Sequence, residues 1–350
     1  MWILMGIHKL PRVRNYWSSD PFLKVDCVAN IMPYTRFSKL TEMIHFNDND
    51  SMLPRTDPNY DKLHKIRPLI DHINQTSNKS YNTSKTVSVD ESMIPFSGRS
   101  SFIQYMPMKP IKRGFKVWCL ADSSTGYVVK SEVYTGKARD GSKNPLGERV
   151  VLNLVSNILG VGYLVAFDNF FTSINLVEEL LDKGIYSVGT VRNNRKGLPE
   201  MMKAKEKMKR GDFNYRIKKG ISAIKWMDRK PVTVLTSAFN PTETVEITRK
   251  LKDRSRLPIF CPITIQAYNK IMGGVDRFDQ LREVYMIGRR SKNWWHSIMY
   301  YYIDMAIVNC YILYKCYKEG ECEDQLAFRI QLAKQLIGDY NGRKRFRDSK

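Results

Sequence analysis

Apolar residues recur every three or four positions in the first quarter of the chain and then shift to alternation and short unbroken runs. The pattern therefore predicts helices first and a β-rich core after them. Phe37, Leu40, Met43 and Ile44 share a helical face behind Thr35, a candidate N-cap, and Leu63, Ile66, Ile70 and Ile73 repeat the spacing. Pro68 falls inside this second run, where it is expected to kink or offset the helix. From Thr86 the period becomes two, with Val87 and Val89 flanking Ser88. Residues 115–120 and 127–134 read as a hairpin around DSSTG, and 164–167 is the unbroken apolar run of a buried central strand. Thr172 or Ser173 then caps a helix carrying Leu176, Leu180 and Leu181, Gly184 closes it, and 186–191 reads as another strand. Strand, helix, strand is a crossover unit, and it puts the residue after Phe167 at a strand's carboxyl end, where open α/β sheets bind ligands.

From about residue 194 to 262 the pattern changes. KGLPEMMKAKEKMKRGDF is basic and weakly helical, and ISAIKWMD and PVTVLTSAF look like strands. A helix starts near Val275 after Gly273 and Gly274, which let the backbone pass close to a neighbour. Residues 294–316 form an apolar, aromatic helix, but His296, Asp304 and Asn309 inside it would be costly in lipid, so a buried helix is expected and no membrane partner.

Charge narrows the function. The chain has 57 Lys and Arg against 35 Asp and Glu, a formal net charge of +22, which points to a polyanionic partner, nucleic acid first. A 43% hydrophobic content over 350 residues supports folded lobes. The six cysteines show no CxxC pair and read as reduced thiols.

Three Asp stand out by placement: Asp90 in TVSVDES, Asp168 in YLVAFDNFFTS and Asp276 in GGVDRFDQ. Each alone reads equally as a helix cap or turn former. Two strand ends and a helix start, however, are places from which carboxylates converge, and hard divalent cations take such oxygen ligands. Asp279 shares a helical face with Asp276. Among the cations, Arg99, Lys109, Arg113 and Lys116 flank the first Asp strand and are expected to line a DNA channel, while Arg289, Arg290 and Lys292 lie beside Trp294 and Trp295, a mixture suited to phosphates and bases. Either Trp also reads as a core anchor. The tail GRKRFRDSK serves equally as an import signal, a DNA-binding arm or a solvated end.

Motifs running nearly end to end carry a resemblance. MGIHKLPRVRNYWSSDP, MPYTRFSKLTEMIHFNDND, VDESMIPFSGRSSFIQYMPMKPIKRGFKVW, FDNFFTS, GTVRNNRKGLPE, YNKIMGGVDRFDQ and RRSKNWWHS together resemble the piggyBac family of DNA transposases. The resemblance implies an α/β fold: an RNase H-like catalytic core with a mixed sheet and flanking helices, an inserted β-containing domain, and a helical dimerisation and DNA-binding part. On this chain that means helical segments at 1–85 and 284–340, core segments at 86–197 and 263–283, an insertion at 198–262 and a basic tail at 341–350. It further implies catalysis by Asp90, Asp168 and Asp276, with Asp279 an added ligand to two Mg²⁺ ions for which Mn²⁺ substitutes. Double-stranded DNA as partner, cleavage and transfer at TTAA, a homodimer, a nuclear location and no small-molecule substrate also follow from it. The family's Cys-rich zinc module has no counterpart in these residues. A domesticated DNA-binding protein without cleavage activity is the alternative, and an RNase H-like enzyme acting on RNA is a third reading.

Overall fold

The computed structural model describes residues 1–136, 144–158, 162–203, 207–250, 254–318 and 324–340; the tail at 341–350 lies outside them. The helices are α1 (Trp2–Ile7), α2 (Asp26–Ala29), α3 (Tyr34–Met43), α4 (Arg67–Ser80), α5 (Leu146–Leu154), α6 (Ile174–Asp182), α7 (Glu200–Lys203), α8 (Ile263–Ile271), α9 (Gly274–Val284), α10 (Trp294–Tyr317) and α11 (Gln325–Ile337). The strands are β1 (Thr86–Pro95), β2 (Gln104–Tyr105), β3 (Arg113–Asp122), β4 (Val128–Val133), β5 (Leu164–Phe167), β6 (Tyr186–Thr190), β7 (Phe213–Lys218), β8 (Ile221–Met227), β9 (Pro231–Thr236), β10 (Thr244–Lys250) and β11 (Arg256–Pro262). They form two compact units, one of Met1–Ile73, Ile94–Ile103 and Gln280–Lys350, the other of Asn74–Met93 and Gln104–Asp279.

The first unit is helical and gathers the two ends of the chain. Helix α3 starts at Tyr34 behind Pro33, so Thr35 sits inside the first turn and is not the cap. Only Phe37 of its predicted face is buried; Leu40 and Met43 are exposed. Pro68 is the second residue of α4, where its missing N–H would have had no helical partner, so it opens the helix without kinking it. Leu63 and Ile66 are buried just ahead of that helix, and Ile70 and Ile73 within it. Helix α10 buries most of its length, and no described helix is long and apolar enough to cross a membrane. Its Asp304 accepts from the Ile287 amide at 3.1 Å and lies 3.8 Å from Arg329 of α11, which donates to the Tyr285 carbonyl at 3.1 Å. This buried polar joint fixes residues 285–287 between the two helices.

The second unit is built on one sheet of nine strands, in the order β2-β3-β1-β5-β6-β9-β8-β7, with β4 pairing β3. Strands β1, β5 and β6 are parallel, pairing Val89 with Phe167 and Phe167 with Gly189. Helix α6 makes the crossover from β5 to β6; Ser173 caps it, accepting from the Leu176 amide. The 3–4 hairpin is held by Asp122, whose carboxylate accepts from the amides of Ser84, Ser124 and Thr125 at 2.6, 2.8 and 3.0 Å. Burial opposes ionisation there, but these bonds prevail and keep its pKa below the usual value. The sequence marked 198–262 as an insertion. Within it β7, β8 and β9 hydrogen-bond into the core sheet through β6, while β10 and β11 pair apart as a hairpin, with Ile259 and Cys261 buried against Trp226. The result is a mixed α/β fold.

Candidate active site

The parallel register decides the site's geometry. The β1–β5 ladder ends at the pair Val89 and Phe167, so Asp90 and Asp168 come next on adjacent strands, whose backbones run about 5 Å apart. Alternation places Ser88, Asp90 and Ser92 on one face of β1. Helix α9 lies across that face, because Gly274 packs on Ser88 and Asp279 accepts a 2.7 Å hydrogen bond from the Ser92 hydroxyl. Asp276 stands in the first turn between these contacts, exposed, and a carboxylate there is favoured by the helix dipole.

Gly274 is what allows this approach. A Cβ on it would lie 2.5 Å from the Ser88 Oγ and 2.9 Å from the Asp122 carbonyl oxygen, whereas one on Gly273 would meet nothing nearer than 4.0 Å. Gly274→Ala is therefore expected to destabilise the unit by about 1–3 kcal/mol, as overpacking does. Gly273→Ala should be tolerated. Thermal melting of the two variants side by side checks this, and equal melting temperatures would contradict the packing of α9 on β1.

The site is electrostatically tense. Burial raises the Asp90 pKa from 3.8 to about 7, opposed by Lys109 and reinforced by Glu91 and Asp168. Burial also raises the Asp168 pKa, against the pull of the Phe170 amide, which donates to its carboxylate at 2.9 Å. Lys109 feels burial in the opposite sense, yet Asp90, Glu91 and Asp276 together raise its pKa, so this one ammonium senses two of the three Asp and the glutamate beside them. Tyr268, whose pKa rises through burial, also lies within the field of Asp168 and Asp90. Among the described residues no group of three or more His, Cys, Asp or Glu is close enough, as arranged, to hold a metal ion. The donors present, hard oxygens on two in-register strands and a helix start, still suit a hard divalent ion.

The sequence-proposed cations divide. Lys109 and Lys116 both pair with Glu91, at 3.4 and 3.7 Å. Lys116 is buried at 7% exposure under the rings of Trp118 and Phe170, so it is a structural cation of the site wall and presents no charge to a DNA backbone, contrary to the sequence reading. Glu91, the residue that organises both lysines, escaped that reading because the sequence ended the strand at Asp90, whereas β1 runs through both residues to Pro95. In the helical unit, Arg289 is directed inward, its guanidinium donating to the Met5 carbonyl and the Tyr16 hydroxyl. Arg99, Arg113, Arg290 and Lys292 are exposed. Trp294 packs edge-on against Phe102, and Trp295 against Phe46 and His296, both half-buried.

A mixed sheet with a parallel β1-β5-β6 centre is consistent with an RNase H-like transposase core. Residues 1–311 match the family described as Transposase IS4, and the chain belongs to that family, in its piggyBac branch. It is 32% identical over 335 residues to the human PiggyBac transposable element-derived protein 3, covering 93% of this chain and 55% of that protein. It is 31% identical over 342 residues to the human PiggyBac transposable element-derived protein 2, covering 95% and 57%. Thus the chain spans about half the length of the curated relatives it matches. A piggyBac transposase solved by cryo-EM as a synaptic complex with hairpin DNA superposes with a TM-score of 0.82 at 25% identity, covering 97% of this chain and 70% of that one.

Proposed function

We propose that this chain is the catalytic core of a metal-dependent DNA transposase that cleaves and rejoins DNA strands at TTAA. The observation that carries the reading is the register of β1 on β5, which sets Asp90 beside Asp168, with α9 bringing Asp276 over the same face. Asp90, Asp168 and Asp276 would hold the divalent ions, with Asp279 next to them and fixed by Ser92. Bound there, such ions supply charge neutralisation and an activated oxygen nucleophile for phosphodiester exchange. The chain's own groups prepare the site: β1 and β5 fix two carboxylates in place, burial keeps water from screening them, and Lys109 balances their charge until a cation does so. A net charge of +22 supports a polyanionic substrate, and the neighbouring piggyBac transposase, solved with hairpin DNA, supports DNA in particular. Assembly as a homodimer and action in the nucleus belong to the same proposal.

The test uses an end-labelled duplex carrying a TTAA-flanked element end, incubated with Mg²⁺ or with chelator and resolved on a denaturing gel. The proposal expects a Mg²⁺-dependent nick at the TTAA boundary leaving a 3′-hydroxyl. Tight DNA binding with no nick in Mg²⁺ or Mn²⁺ would establish the alternative, a transposase-derived DNA-binding protein.

A further inference from the structure

Beside the Asp168 loop the sheet unit holds a second charged feature that none of the sequence motifs had assigned to a ligand. A cleft of about 740 Å³ is lined by Arg192, Arg195, Lys196, Arg216 and Lys218. Some basic side chains of this unit are paired: Lys183 with Glu179, Lys203 with Glu200, Arg210 with Asp228. None of the five cleft cations has a carboxylate partner among the described residues, and all but the half-buried Arg195 are exposed. Two carboxylates share the lining, Glu148 and Glu178, and the first is engaged by the Ser173 hydroxyl at 2.6 Å. Five cations against two carboxylates leave the lining net positive, and a cleft lined mainly by one sign of charge concentrates the opposite ion.

The cleft is joined to the candidate active site through two of its arginines. Arg192 donates to the Asn169 side-chain carbonyl at 2.9 Å, and Arg195 donates to the main-chain carbonyls of Asn169 and Phe170 at 2.9 and 2.6 Å. Asn169 directly follows Asp168. The cleft's arginines therefore border the loop that directly follows Asp168. The volume falls within the range of small-ligand pockets, roughly 300–1,000 Å³, a size suited to part of one strand's backbone. Arg216 and Lys218 project from β7, the edge of the sheet, so the outer wall is a rigid element.

We infer that this cleft binds the sugar-phosphate backbone of a single DNA strand leaving the Asp168 site, holding it after it has separated from its complement. The inference rests on the DNA-processing reading above and adds to it a place and a strand state. Phosphate contacts of this kind fix position and register without reading sequence.

The experiment measures the affinity of the whole chain for a labelled oligothymidine and for a random duplex of equal length, between about 50 and 200 mM salt, by fluorescence anisotropy. Arg192→Ala, Lys196→Ala, Arg216→Ala and Lys218→Ala are combined, and Arg195 is left to hold its loop. For single strands each neutralised phosphate contributes about 0.7 to the log–log salt slope, so the slope for oligothymidine should fall by about 2.8, and by about 1.4 in the Arg216→Ala/Lys218→Ala pair. The duplex slope should hardly move. The pair Arg229→Ala/Lys230→Ala, in the exposed turn before β9, should leave both slopes unchanged, and melting curves confirm that each variant is folded. An unchanged single-strand slope would overturn the cleft assignment, and an equal loss on duplex would overturn the single-strand assignment. A parent chain that binds neither probe would overturn the DNA reading itself.

Discussion

Replacing Asp90 or Asp168 by Asn is expected to lower strand cleavage by at least about a thousandfold, the scale on which groups acting at the reacting atoms contribute. The substitution keeps shape and hydrogen-bonding capacity but removes the negative charge that a divalent ion needs. DNA affinity should hold within a few fold, since the phosphate-binding charge lies elsewhere. Stability gives an independent readout. Burial lifts the Asp90 pKa to about 7, so at pH 8 the folded chain keeps an unfavourable buried charge that a neutral Asn lacks. Asp90→Asn should therefore melt no lower than the parent at pH 8 while losing cleavage, the exchange of stability for function that active sites show. A large drop in melting temperature would recast Asp90 as a structural residue.

Arg329→Met should cost about 3–5 kcal/mol at pH 8, because it removes the cation facing the buried Asp304 and the donor to the Tyr285 carbonyl. The loss should depend on pH. Burial raises the Asp304 pKa to about 7, with Arg329 and the Ile287 amide opposing. Since the folded-state pKa lies above the unfolded value, the folded state holds an extra proton between about pH 4 and 7. The stability linked to Asp304 is therefore greatest at low pH and declines as pH rises through 7. At pH 6 Asp304 already carries its proton in the folded parent, so losing Arg329 leaves no unpaired buried charge and the variant should be penalised less than at pH 8. Adding Asp304→Asn should recover much of the loss and flatten the pH dependence. Urea denaturation at the two pH values measures both effects; a pH-independent cost would mean that packing, not charge, makes Arg329 necessary.

The outline of the site was legible in the chain. The run LVAF fixed β5 and set Asp168 at its end, and the alternation around Ser88 fixed β1, so the two strands that carry the carboxylates were visible from periodicity alone. Their adjacency was not, because parallel pairing joins residues 78 positions apart and leaves no local signal. The same limit hid the charged cleft, whose cations come from 192–196 and 216–218 and meet only once β7, β8 and β9 fold back on β6. Lys116 and Arg289 were read as DNA contacts from charge and spacing, yet Glu91 claims the first and the Met5 carbonyl and Tyr16 hydroxyl the second. Local pattern shows where a cation stands along the chain, and tertiary packing decides what it faces.

The most direct test of the central claim is a crystal of the chain soaked in Mn²⁺, with the ions located by anomalous scattering. The account predicts Mn²⁺ bound to carboxylate oxygens of both Asp90 and Asp168 at about 2.0–2.2 Å, the distance for hard octahedral cations, with Asp276 as a further ligand on the α9 side. Density for Mn²⁺ elsewhere only, or an ion held by Asp90 and Asp168 with Asp276 turned to solvent, would contradict a shared three-carboxylate site.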